Sequence, residues 1–185
     1  MKEIALHLLD IVQNSVRAEA SHVDISFDLS EDGVLTMTVK DDGKGMDREL
    51  LEKVRSPFVT TRTTRRVGLG IPLLMQNAMA SGGSVDIESE VGRGTVITAQ
   101  FHTDSIDCLP LGDLAETMAT LIIGSPDKPE FRLICSSPKG QMDFSTEEVR
   151  AAVGPEISLA EPEIVQWIRQ SLTEETEPIL GGIMR

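Results

Sequence analysis

Residues 2–20 carry Ile4, Ala5, Leu8, Leu9, Ile11, Val12 and Val16 at the three-and-four spacing of a helix with one broad apolar face, while Glu3, His7, Asp10, Asn14 and Arg17 fall on the opposite stripe. His22 to Leu29 alternates polar and apolar and predicts a strand; Glu31-Asp32-Gly33 predicts a turn and Leu35 to Val39 the second strand of a hairpin. Asp47 is placed to cap a short helix ending about Val54. Ser56 to Arg66 has no period. A helix is expected from Ile71 to Ser81, with Pro72 in its first turn and Gly82-Gly83 at its end. Val85 to Ile87 and Thr95 to Phe101 predict paired strands around Val91-Gly92-Arg93-Gly94.

Beyond Thr103 the pattern predicts a helix from Asp113 to Ile123, a hairpin from Phe131 to Phe144 turning at Pro138-Lys139-Gly140, a helix capped by Ser145, and a helix from Pro162 to Leu172. Glu174-Glu175-Thr176-Glu177 is expected to begin a frayed end. The strands come as hairpins, not as strand-helix-strand units. That favours an α+β sandwich, with helices on one face of a mixed, largely antiparallel sheet, over a doubly wound parallel sheet. Composition shifts near Thr103, so residues 1–104 are expected to form one domain and 105–185 a small α+β extension. The extension holds 14 of the 30 acidic residues and 6 of the 17 basic ones. It carries no motif of its own, and sheet extension, a homodimer surface and partner docking all stay open for it.

Charge narrows the partners. The formal net charge of −13 repels phosphate backbones and anionic lipid, so neither nucleic acid nor a membrane surface is expected as a partner. No apolar run is long enough for a membrane span and the first residues do not read as a signal peptide, so a cytoplasmic protein is expected. Cys108 and Cys135 lack the spacing of a zinc site and are expected to be buried thiols in a reducing compartment.

Three groups of residues carry candidate chemistry. Helical steps of four and three align Asp10, Asn14 and Arg17, so that a carboxylate, an amide oxygen and a guanidinium can converge on one ligand; alone, the stripe reads first as the solvated face of an amphipathic helix. Asp41-Asp42-Gly43-Lys44-Gly45-Met46 follows a strand, where a carboxylate can accept from an exocyclic amine and glycines let backbone pass close to a flat ring; alone, it is an Asp-Gly turn. An EF-hand is a poor alternative, since Gly43 and Gly45 stand where oxygen ligands are required. Gly68-Leu69-Gly70 opens a helix whose free N–H groups can hold phosphate oxygens, or is simply a helix start. No P-loop and no dinucleotide fingerprint is present.

Taken in order, Asp10-x-x-x-Asn14, Asp41-x-Gly43-x-Gly45, Pro57-Phe58-x-Thr60-Thr61, Gly68-x-Gly70 and Gly92-x-Gly94-Thr95 resemble the boxes of the GHKL superfamily over roughly residues 1–102. Those are the ATP-binding domains of bacterial histidine kinases, anti-sigma-factor kinases, mismatch-repair ATPases, type II topoisomerases and large heat-shock chaperones. The resemblance implies the Bergerat fold, with ATP and Mg²⁺ as cofactors. It makes Asn14 the Mg²⁺ ligand and Asp41 the acceptor of the adenine amino group. Gly43, Gly45 and Met46 would shape the base pocket, with Thr95 beside Asp41 completing the base contacts. Thr61, Gly68, Leu69 and Gly70 would approach the phosphates, with Arg17 near them.

Two substitutions set the chain apart from the pattern. Asp10 stands where hydrolytic members carry Glu and many kinases Asn, and its shorter carboxylate is the candidate catalytic base. Arg66 replaces the glycine that usually opens the second glycine box, in a segment with Arg62 and Arg65 that reads either as a phosphate clamp or as a solvated basic loop. Nine residues precede Asp10, so no helical hairpin with a phospho-accepting histidine is expected, nor autophosphorylation in cis; His7 is read as a surface or site-flanking residue. The resemblance thus points to a small ATPase or protein kinase acting on a regulatory protein partner. A binding module that senses ATP without turnover is the alternative.

Overall fold

The computed structural model describes residues 2–55 and 70–183. Its elements are α1 (Ile4–Arg17), β1 (His22–Leu29), β2 (Val34–Asp41), α2 (Arg48–Arg55), α3 (Gly70–Ala80), β3 (Ser84–Glu90), β4 (Gly94–His102), α4 (Leu114–Gly124), β5 (Glu130–Ser137), β6 (Gly140–Ser145), α5 (Thr146–Val153) and α6 (Pro162–Leu180). The strands form one six-stranded sheet in the order β3-β4-β2-β1-β5-β6. Only β1 and β5 run parallel; every other neighbouring pair is antiparallel. This is the mixed, largely antiparallel α+β architecture expected of the Bergerat fold.

Alternation along the strands decides which face is covered. Val23, Ile25 and Phe27 of β1, Leu35, Met37 and Val39 of β2, and Leu133 and Cys135 of β5 are buried, while Asp24, Asp28, Lys40 and Arg132 between them are exposed. Phe27, Phe101 and Phe131 are fully buried, and each such side chain contributes roughly 1.5–3 kcal/mol through apolar area withdrawn from water. Helix α1 lies between α3 and α4, and α6 packs on α4.

Residues beyond 104 share this sheet and core. β5 joins the edge of β1 in the register His22–Glu130 to Asp28–Ser136. The first amides of α1 have no acceptor within the helix, and Pro110 and Leu111 supply carbonyls to Ile4 N and Ala5 N at 3.0 and 2.8 Å.

Local structure departs from the sequence pattern at four places. Helix α6 does not fray after Leu172 but continues to Leu180, because Leu172, Thr176, Ile179 and Leu180 recur on one face and are buried where α6 packs on α4 and on β5 and β6. The Thr176 hydroxyl donates to the Leu172 carbonyl at 2.7 Å, so its burial leaves no polar atom unpaired. Ser145 stands at the N-cap of α5 without a capping bond; the neighbouring Thr146 hydroxyl donates instead to Glu130 Oε2 at 2.5 Å. Cys135 is buried and its thiol is pushed up to about 12 by desolvation, whereas Cys108 is only partly buried. His7 is not a surface residue: it is fully buried under α3.

Candidate functional site

Asp41 ends β2 with its side chain on the helix-covered face, beneath α1, and is 7% exposed. Two donors fix its carboxylate: the Ser15 hydroxyl donates to Oδ2 at 2.6 Å and the Gly43 amide to Oδ1 at 2.9 Å. Thr95, the second residue of β4, is the register partner of Asp41. Ser15, Asp41 and Thr95 line a cavity of about 260 Å³ whose apolar walls include Ile11, Met46 and Ile97, with Asn14, Arg17 and Lys44 among its other lining residues. Packed aliphatic walls and a buried acceptor suit a flat base with an exocyclic amine at its edge.

The loop after Asp41 is sewn in from both sides. Lys44 N donates to the Ala18 carbonyl at the end of α1, and the Lys44 carbonyl accepts from Gly92 N in the β3–β4 turn, both at 2.9 Å. Gly45 has φ +67° and a Cβ there would run into the Glu90 carbonyl; Gly94 has φ +100° and a Cβ would run into the Asp41 carbonyl. Both positions therefore demand glycine for conformation and for room. At Gly43 a Cβ would lie 2.8 Å from the Ala18 carbonyl oxygen.

Helix α1 sets the polar stripe. Asn14 Oδ1 accepts from Arg17 Nη1 at 3.3 Å, so the amide oxygen read as a metal ligand holds a guanidinium in this structure. Asp10, one turn earlier, packs against the first residue of α3, Gly70. His7, a further turn back, accepts at Nε2 from the Asn77 amide at 2.7 Å, which leaves the proton on Nδ1. That Nδ1 is buried without a partner among the described residues, and burial is the chief cause that lowers the imidazole from 6.5 to about 4. The ring is neutral at pH 7.

Asp10, Asn14, Arg17, Asp41, Gly43, Gly45, Met46, Gly70 and Thr95 thus gather around α1 and the ends of β2 and β4. Thr61, Gly68 and Leu69, with the Pro57-Phe58 box and Arg62, Arg65 and Arg66, lie outside the described residues. Ser15 and Ser89 were not singled out by the sequence pattern. Ser15 interrupts the apolar side of α1 beside Asn14, and Ser89 is the register partner of Thr95 across the Gly92–Gly94 turn; both signals were available. Among the described residues no helix is long and apolar enough to cross a membrane, and no group of three or more His, Cys, Asp and Glu side chains is arranged to hold a metal ion.

Comparison with known proteins bears on these features. Sporulation kinase D of Bacillus subtilis is 32% identical over 92 residues, covering 49% of this chain and 18% of that protein. The sensor histidine kinase ZraS of Escherichia coli is 30% identical over 92 residues, covering 49% of this chain and 20% of its own length. The chain therefore spans about a fifth of the curated relatives it matches. A crystal structure of the N-terminal domain of a DNA repair protein superposes with a TM-score of 0.53 over 79% of this chain and 53% of that one, at 13% identity, which is a likeness of fold. Residues 2–105 match the family described as "Histidine kinase-, DNA gyrase B-, and HSP90-like ATPase", and the chain belongs to that family of ATP-binding domains, with histidine kinases among its relatives.

Proposed function

We propose that this protein binds Mg-ATP with its base in the cavity beneath α1 and passes the terminal phosphoryl group to a regulatory protein partner or to water. The observation that carries the reading is Asp41: a carboxylate 7% exposed, held at both oxygens and facing a cavity with aliphatic walls. Its remaining lone pairs accept from the adenine amine, while Ile11, Met46 and Ile97 exclude water from the ring faces. Bound ATP supplies the phosphoryl group and most of the oxygen ligands of the magnesium ion.

Asn14 offers its amide oxygen to that ion, and a neutral protein ligand suffices where phosphate and water provide the other positions. Arg17 then leaves Asn14 Oδ1 and turns its charge toward the phosphates. Asp10 orients the attacking hydroxyl and takes up its proton at the carboxylate. Calorimetric titration tests the base assignment. Mg-ATP binds more tightly than Mg-GTP on this reading, because the guanine carbonyl oxygen would face the Asp41 carboxylate, and Asp41→Asn weakens ATP binding while the fold persists. Equal affinity for the two nucleotides would overturn it.

A further inference from the structure

The protons of the Ser15, Ser89 and Thr95 hydroxyls around Asp41 can be assigned by counting. Ser89 Oγ lies 2.8 Å from Met46 N, 2.9 Å from the Gly94 carbonyl oxygen and 2.9 Å from Thr95 Oγ1. A serine hydroxyl has one proton and two lone pairs. The carbonyl can only accept, so it takes the Ser89 proton. The amide can only donate, so it fills one lone pair. The Thr95 hydroxyl must then donate into the other, and Thr95 keeps only lone pairs for anything in the cavity. The single proton of Ser15 is likewise spent on Asp41 Oδ2.

We propose that Ser89 and Ser15 are positioning residues that commit these protons away from the cavity, so that Ser15, Asp41 and Thr95 present a wall of hydrogen-bond acceptors only. The proposal rests on the adenine-site reading and deepens it. Where it faces the 6-position of a purine and not N1, such a wall accepts from an amine and has no proton to offer a 6-oxo group; facing N1, it would instead favour the N1–H that a 6-oxo purine carries. Selectivity therefore resides in two hydroxyls as well as in the Asp41 charge. A buried acceptor facing another acceptor loses its hydration without a replacement bond, and this asymmetry is what makes polar readout selective.

The test is equilibrium titration of the full chain with ATP, inosine triphosphate and purine riboside triphosphate, which lacks the amine but keeps ring nitrogen N1. In wild type ATP binds at least about tenfold more tightly than inosine triphosphate. Ser89→Ala frees the Thr95 proton to turn toward the 6-oxo group and narrows that ratio about tenfold, through tighter inosine triphosphate binding; Ser89→Thr, which keeps the hydroxyl, restores it. Thr95→Val, close in shape, gives an independent reading should Ser89→Ala fail to fold. It weakens ATP about tenfold and changes purine riboside triphosphate less than about twofold. An unchanged ratio in Ser89→Ala, or equal losses for ATP and purine riboside triphosphate in Thr95→Val, overturns the proposal, since the hydroxyl would then be donating to N1. A wild type that binds none of the three nucleotides instead sinks the underlying adenine-site reading.

Discussion

The side chain of Asp10 packs on the α-carbon of Gly70: a methyl group there would lie 3.1 Å from both Asp10 Cβ and Oδ2. The carboxylate of α1 is thereby held at the first described turn of α3, the end at which a helix has amides without partners inside the helix. A glycine at this point sets where the carboxylate proposed as the base sits.

Gly70→Ala should therefore act on chemistry before it acts on binding. The added methyl pushes the Asp10 carboxylate by a few tenths of an ångström or into another rotamer, and small misplacements of a reacting group are costly. Single-turnover measurements should show ATP turnover reduced about tenfold, with nucleotide affinity changed less than about threefold. Parallel losses in both would mean that the glycine serves the nucleotide cavity and not Asp10.

Asn14→Ala should erase the part of ATP affinity that depends on magnesium. Titrations with and without Mg²⁺ should differ in wild type and nearly coincide in the variant, while the apolar walls still hold the base. The Arg17 contact to Asn14 Oδ1 at 3.3 Å joins two exposed or half-exposed groups and adds little to stability, so the variant should stay folded. A variant that retains the full magnesium effect would remove Asn14 from the metal site.

His7 predicts an acid limb in stability. Its folded pKa is lowered from 6.5 to about 4, chiefly by burial, with the nearby Asp10 charge opposing the shift. Between those values the unfolded chain binds a proton that the folded chain does not, so stability rises with pH across the window and is lost as pH falls from about 6.5 toward about 4. The loss across that window is on the order of 3 kcal/mol. Urea midpoints measured across this range should show a shallower slope in His7→Gln, whose side-chain oxygen can still accept from Asn77. An identical slope would place the acid sensitivity elsewhere.

His7 also marks where the sequence stops being informative. Steps of three and four residues put it on the polar stripe with Asp10, Asn14 and Arg17, and nothing local reveals that α3 lies over that end of the stripe and brings Asn77 to it. The C-terminal end of α6 misled for a similar reason. Its acidic run Glu174-Glu175-Thr176-Glu177 reads as a frayed end, while the burial of Thr176, Ile179 and Leu180 comes from partners far away in sequence. The strands fared better, because alternation is a local signal: the β1–β2, β3–β4 and β5–β6 hairpins fall where the pattern put them. In the site, Asn14, Asp41 and Thr95 stood out as members of short spaced motifs. Ser15 and Ser89 left a trace in the pattern, but what each donates to is set by the assembled hydrogen bonds.

Asp10 separates turnover from sensing. Its side chain touches Gly70, and α3 is the first described element after the segment that contains the second glycine box, so the carboxylate lies close to the site inferred for the phosphates. A protein that only senses ATP needs Asp41, Asn14 and the cavity walls, and has no use for a base one turn before Asn14. A catalyst that uses Asp10 as its base needs the carboxylate to orient water or a partner hydroxyl and to accept its proton. Asp10→Asn keeps size and polarity but cannot take the proton, so turnover should fall about 10²–10⁴-fold with ATP affinity nearly unchanged. ADP release should be followed for both proteins, alone and with phosphorylatable partner proteins. Equal rates for wild type and Asp10→Asn under every condition would remove the catalytic role and leave the cavity as an ATP sensor.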